Sequence, residues 1–253
     1  MNRIKKIKDY YNWGGRFLND PYHREKKKLN KIEFDKQPLR SDVINFLLKS
    51  LNRDTNYLEI GVRNPEDNYN KILATKKHSV DPGIEFKQNP VDFKMTSDYF
   101  FPKLDNGEVL NEKIKFDVIF IDGLHLAEQV DRDINNALKF IHDDGFIILH
   151  DCNPPSEWRA RETHKYEISP AMQNWNGTTW KAFVKYRNRP DVFTCCIDTD
   201  WGVGIISLKI QFGKKNPIEN PFYEYHVFSE NREESLNLIS FEEFNRFIKL
   251  NNE

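Results

Sequence analysis

The sequence predicts an α/β fold, an open and mostly parallel sheet with helices on both faces and an antiparallel hairpin near its end. Three stretches carry that expectation. Residues 116–151 hold two continuously apolar runs, FDVIFID and FIILHD. Between them Leu126, Val130, Ile134, Ala137 or Leu138 and Ile141 recur every three or four residues, one face of a helix. Strand, helix and strand of this kind make a βαβ unit buried on both sides. Further upstream, NYLEIGV and HSVDPG are two short strands, each followed by a polar turn. Downstream, VFTCCIDTD and GVGIISLKI are joined through Asp200-Trp201-Gly202, which is hairpin spacing.

From the N-terminus, residues 1–31 are basic and aromatic, with Ile4, Ile7, Tyr10 and Tyr11 at helical spacing before a break expected at Gly14-Gly15. This arm is expected to pack its aromatic side on the domain or on a second subunit, which would make a homodimer. The sharper alternative is a basic patch for a phosphorylated or nucleotide-linked substrate, or for a membrane surface. Residues 41–51 form a helix capped by Ser41 or Asp42, with Val43, Ile44, Phe46, Leu47 and Leu48 inward. After the first strand, Tyr69 opens another helix. Thr96 or Ser97 caps a further short one. His142, Asp143 and Asp144 before Gly145 read as a helix stop. Residues 152–177 are Pro-rich and aperiodic, long enough for a lid or substrate wall. Residues 178–186 are helical. The remainder is a polar tail with one amphipathic helix near residues 241–250. Trp158, Trp175, Trp180 and Trp201 are expected in core or lid packing.

Bulk properties narrow the function classes. The chain has 253 residues and a formal charge of −1, so no global field suggests a nucleic-acid partner. Cys152, Cys195 and Cys196 form neither a disulfide framework nor a CxxC zinc pair, which fits a reducing compartment. No apolar run reaches the roughly 18 residues of a membrane span, and the basic N-terminus lacks a signal peptide's apolar segment. A cytoplasmic protein is expected.

Right-handed crossovers send the C-termini of parallel strands to one sheet edge, where ligands bind in open α/β folds. That edge would carry Asp122, His125, His150 and Asp151. His125, with a pKa suited to neutral pH, is the candidate general base. Its structural alternative is a helix-entry residue bonded to backbone. His150 and Asp151 offer a second base or, with Asp122, a divalent metal site, Mg2+ being the ion carboxylates suit. Structurally, Asp151 can cap the next turn while His150 packs on the sheet edge. Asp81, ending the second strand, is the type of acid that binds ribose hydroxyls. The GxGxxG dinucleotide fingerprint is absent, with only Gly61 present. Asp198 and Asp200 are assigned structural roles in the hairpin.

Taken in order, YLEIGVR, SVDPG, MTSDYFF, FDVIFIDGLHLAEQVDRDI, FIILHDCNPP, GTTWKAFVK and DTDWGVGII resemble the class I S-adenosylmethionine-dependent methyltransferases. The likeness runs over residues 55–208 and is greatest to bacterial small-molecule enzymes associated with surface-glycan biosynthesis. It implies a Rossmann-like, seven-stranded sheet with a C-terminal antiparallel hairpin. It also implies S-adenosylmethionine as cofactor, with Glu59 and Gly61 at its methionine end, Asp81 on the ribose, Ser97 and Asp98 near the adenine, and Asp122 with Gly123 near the transferred methyl. Pro65 and Glu66 depart from the family's first motif, where relatives often carry another glycine. The expected organisation is an arm over 1–40, a methyltransferase domain over 41–210 with a lid-like segment at 152–177, and a tail over 211–253. The expected activity is methyl transfer to a hydroxyl of a sugar or nucleotide-linked surface-glycan precursor. The alternatives are a metal-dependent hydrolase-type enzyme or a non-catalytic binding protein on the same fold.

Overall fold

The structure is a computed structural model that describes residues 3–86, 88–166, 169–213 and 215–252. Its strands are β1 (Asn56–Ile60), β2 (Lys76–Val80), β3 (Phe116–Ile121), β4 (Ile141–Leu149), β5 (Phe193–Ile197), β6 (Val203–Ser207) and β7 (Leu238–Ile239). They form one seven-stranded Rossmann-like sheet in the order β2-β1-β3-β4-β6-β5-β7. The β2–β1–β3–β4 pairs are parallel, β6 is antiparallel to both β4 and β5, and β7 is parallel to β5. It follows that β6 alone runs against the other strands. The turn from β5 into β6 therefore emerges on the same edge as the C-termini of β1 to β4.

Side chains alternate across the sheet, as a pleat requires. Past the register shift after Phe116, Ile119 and Ile121 of β3 face one core layer and Val118 and Phe120 the other. The first layer is covered by α4 (Ser97–Asp105), α5 (Ala127–Phe140) and α6 (Thr179–Arg187), joined by α7 (Tyr225–Glu230) and α8 (Arg232–Leu236). The second is covered by α3 (Arg40–Ser50) and α9 (Phe241–Asn252). Trp180 and Phe183 of α6 are fully buried, each such side chain contributing roughly 1.5–3 kcal/mol. Cys195 and Cys196 point to opposite faces, and all three cysteines are free and buried. At the edge opposite the strand C-termini, Arg53 clasps Asp117 at 2.6 and 2.8 Å and Asp144 at 2.7 and 2.8 Å.

Several local expectations are corrected. Gly14-Gly15 does not break the arm: α1 (Arg3–Asn19) runs through both, and α2 (Pro21–Phe34) follows at once. Nothing lies within 4 Å of either glycine's Cβ position, so only helix propensity, about 1 kcal/mol per glycine, opposes them. Ile141 leaves the helix and opens β4 opposite Phe116, and His142–Asp144 is a bulged strand segment, not a helix stop. Pairing with β3 and the Arg53–Asp144 contact outweigh the local pattern. The helix expected at Tyr69 is a single 3-10 turn, Tyr69–Lys71. The seventh strand is β7 (Leu238–Ile239), within the segment expected to be a tail. Among the described residues, the free side of β2 carries one isolated bridge, Val80 with Phe93.

Candidate active site

Two strand ends and one turn build the centre of the site. Asp122 follows β3, His150 and Asp151 follow β4, and His125 lies on the turn that enters α5. The structure brings these four together, as the parallel-strand argument requires. Asp122 Oδ1 lies 3.3 Å from His150 Nδ1 and 3.5 Å from His125 Nε2. His125 Nδ1 is 2.8 Å from Asp151 Oδ2, yet the N–H direction does not meet hydrogen-bond geometry. Asp151 adopts φ +61°, an uncommon conformation for a residue with a side chain. Its other oxygen accepts a 2.5 Å bond from Asn176.

Asp200 keeps a structural role in the hairpin turn and also reaches this cluster. Because β5 runs with β4, the turn that carries Asp200 closes the site from the far side. Asp200 Oδ1 is 3.4 Å from His150 Nε2. Its Oδ2 accepts from the Arg40 guanidinium at 3.0 Å and from the Arg40 backbone N–H at 2.8 Å. It thus caps the N-terminus of α3, where a carboxylate is favoured. The caps expected from Ser41 or Asp42 give way to it: α3 starts at Arg40, and Asp42 reaches back to the Leu39 amide at 3.1 Å. Arg40 Nε also lies 3.8 Å from Asp122. Arg40 ends the expected arm, and neither its position nor the sequence around it signals a place in the site. Asp198 stays peripheral, bonded to Lys36 at 2.6 Å and Asn153 at 3.2 Å.

The end of segment 152–177 is fastened to the same loop. The Thr178 N–H donates to His125 O at 2.7 Å, and the Thr178 hydroxyl accepts from the Ala127 N–H at 2.8 Å. A Cβ on Gly177, at φ +63°, would sit 2.0 Å from His125 O, so only glycine fits. Trp175 stacks on the His125 ring at 5.4 Å and 11°. Asn30 of α2 holds this segment through Arg159 Nε and Pro170 O, both at 3.0 Å.

Charge sets the protonation. Burial opposes charging His125, but the Asp151 and Asp122 carboxylates outweigh it and raise its pKa. The same acids raise His150 well above the ordinary histidine value against its burial. Burial alone would raise Asp151 and Asp200, yet His150, helped by His125 at Asp151 and by Arg40 at Asp200, holds both well below the carboxylate range. Asp122, His125 and Asp151 can each offer a ligand atom, and these lie within 4.8 Å of one another. The two carboxylates suit a hard divalent cation of the Mg2+ or Mn2+ type, while the imidazole is a ligand better suited to a transition metal.

The other expected binding residues occupy the adjoining loops. Gly61 (φ +93°) packs so closely on the β3 loop that a Cβ would be 2.3 Å from Asp122 O and 2.4 Å from Gly123 Cα. Glu59 is buried and accepts from the Tyr57 hydroxyl at 2.5 Å and Asn68 at 2.9 Å; burial pushes its carboxyl up to about 7. Asp81 is partly buried, which raises its pKa. Its Oδ1 accepts from the Gly83 N–H at 2.6 Å and Asn89 at 3.0 Å. Among the described residues Oδ2 carries no hydrogen bond. Ser97 and Asp98 open α4 and are tied to α5: Gln129 donates to both at 3.1 Å, and Arg132 pairs with Asp98 at 3.1 Å. They lie outside the histidine–aspartate cluster.

Residues 43–152 match the family model described as a methyltransferase domain. The match spans β1 to β4 and includes Asp122, His125, His150 and Asp151. No curated protein matches. Among solved structures, the chain is similar to an O-methyltransferase from Bacillus cereus in complex with SAH, at 14% identity and TM-score 0.45, covering 76% of this chain and 92% of that one. It is similar to the O-methyltransferase TomG from Streptomyces achromogenes in complex with SAM, at 13% identity and TM-score 0.44, covering 75% and 90%. The methyltransferase MycE, in complex with Mg, SAH and mycinamycin VI, aligns at 11% identity and TM-score 0.43, covering 82% and 59%.

Proposed function

We propose that the protein is an S-adenosylmethionine-dependent O-methyltransferase acting on a hydroxyl of a small polar acceptor of the sugar class, free or nucleotide-linked. The observation that carries this reading is one of placement. Within the segment that matches a methyltransferase domain, the Gly61–Asp81 loops and the histidine–aspartate cluster meet at one sheet edge. The cofactor, when bound, supplies an electrophilic methyl group on a sulfonium. Gly61 keeps the β1 loop flat against Asp122 and Gly123, and Asp81 offers Oδ2 to a ribose diol. Both fit the cofactor assignment.

The chain's remaining task is to align the acceptor and accept its proton. His125 faces the cluster, is oriented by Trp175, and has Asp151 beside it to stabilise the imidazolium. Its raised pKa makes it a stronger base but leaves less of it neutral at pH 7. A divalent cation on Asp122, His125 and Asp151 would be the alternative to this base: it would take the imidazole as a ligand and lower the pKa of a bound hydroxyl itself. The sugar-class acceptor rests on the motif resemblance, with Trp175 as a stacking platform and residues 152–177 as the acceptor wall. Calorimetry with S-adenosylhomocysteine tests the cofactor half. The wild-type chain is expected to bind and Asp81→Ala to bind at least about tenfold more weakly, since charge-assisted bonds contribute about 1.5–3 kcal/mol. No binding by the wild type would overturn the reading. Methyl transfer from labelled cofactor to a panel of sugars and nucleotide sugars tests the other half, and cofactor binding without transfer to any of them would remove the acceptor assignment.

A further inference from the structure

The N-terminal helix is not accounted for by the site. α1 buries no residue along its seventeen. On a helix, Ile4, Ile7, Tyr11 and Leu18 fall on one stripe by their spacing, and all four are exposed, Ile4 at 74% and Tyr11 at 82%. Gly14 and Gly15 complete that stripe with open space above them. Trp13 and Phe17 stack on one another, and Phe17 turns to His23 of α2, so the stripe faces away from the rest of the chain. A soluble surface helix places such residues inward; here they point outward beside Arg3 and Lys8. Residues 1–34 carry ten Lys and Arg against four Asp and Glu, a net of +6 in a chain whose total is −1.

We propose that α1 docks on an anionic lipid surface, lying in the interface with its Ile4–Leu18 stripe buried and its basic side chains among the headgroups. Three observations select this occupant. The apolar stripe with exposed Tyr10, Tyr11 and Trp13 has the composition of an interfacial helix, with aromatic rings at headgroup level. The segregated positive charge calls for an anionic partner. A second copy joined two-fold through α1 would set like patches against each other, because such an interface pairs the same surface on both chains. A nucleic acid would satisfy the charge but leave the Ile and Leu stripe without a partner. The expected packing of this arm on its own domain is not what the structure shows for α1: it lies against α2, and α2 rather than α1 is fastened to the site segment through Asn30.

The experiment is co-sedimentation of the full chain with phosphatidylcholine vesicles, with and without about one-third phosphatidylserine. The wild type is expected to bind the anionic vesicles and release at high salt. Ile7→Glu with Tyr11→Glu should weaken binding on the order of tenfold or more, and so should Lys5, Lys6 and Lys8→Gln. Thermal melts of these variants should match the wild type, since α1 buries nothing. Absence of binding to anionic vesicles would overturn the proposal. So would a change of the double variant from dimer to monomer by light scattering with vesicle binding unaltered, which would assign the stripe to a second copy. Tight binding of a mixed oligonucleotide that survives Ile7→Glu, with no vesicle binding, would assign the charge to nucleic acid instead.

Discussion

Gly61→Ala is expected to damage both stability and the site, and the structure says by how much. The methyl group would lie 2.3 Å from Asp122 O and 2.4 Å from Gly123 Cα, so these backbone atoms must retreat by about 1 Å to reach ordinary contact. Forced crowding of this kind costs about 1–3 kcal/mol. The backbone at φ +93° adds about 1–2 kcal/mol for a residue with a Cβ. Together the loss is about 2–5 kcal/mol, a large part of a typical domain's 5–15 kcal/mol. Because the retreat moves Asp122, ligand affinity and turnover should fall with it, and a 1 Å displacement can cost on the order of a hundredfold in rate. Gly14→Ala is the control. It makes the same chemical change in a helix with open space around it, and it should leave stability unchanged or raise it by about 0.5–1 kcal/mol. Urea denaturation and S-adenosylhomocysteine calorimetry on both variants read the outcome. A Gly61→Ala protein within about 0.5 kcal/mol of wild type, with unchanged affinity, would refute the close-approach reasoning.

Other consequences follow from buried charge. Asp117 is 2% exposed and accepts from Arg53 and from the Asn56 amide; Arg53 stays partly exposed and keeps Asp144, so Asp117→Ala should cost about 1–3 kcal/mol in urea melts, chiefly for the Asn56 N–H left unpaired. A cost below about 1 kcal/mol would show that the clasp is slack. Glu59, with its carboxyl raised to about 7 by burial, takes up protons on folding between its unfolded value and 7. Its contribution is therefore complete below about pH 4.5 and lost as pH rises through 7. Wild-type stability relative to Glu59→Gln should fall by about 2–3 kcal/mol from pH 4.5 to 8, and parallel pH profiles of the two proteins would contradict this. Millimolar Mg2+ or Mn2+ should raise the wild-type melting temperature by mass action, and Asp151→Asn should abolish that rise. An equal rise in both proteins would place the ion elsewhere.

The sequence by itself determined the strands β1 to β6, the helix α5, and the meeting of Asp122, His125, His150 and Asp151. Parallel strands must end on one edge, so residues written directly after two such strands and their crossover turn come together whatever else the chain does. Buried apolar runs and a 3.6-residue period are local signals, and these elements carry them. Tertiary structure decided the rest. Asp200 enters the site because β5 runs with β4, a direction that hairpin spacing does not specify. Arg40 and Asn176 arrive from segments far away in the chain, one through the start of α3 and the other through the Gly177 turn on His125. The register of β4 overrode the helix-stop pattern at His142–Asp144 because pairing with β3 and the Arg53 clasp are contacts between distant residues. α1 shows the reverse case: its sequence pattern is that of a helix with an inward face, and the structure leaves that face exposed.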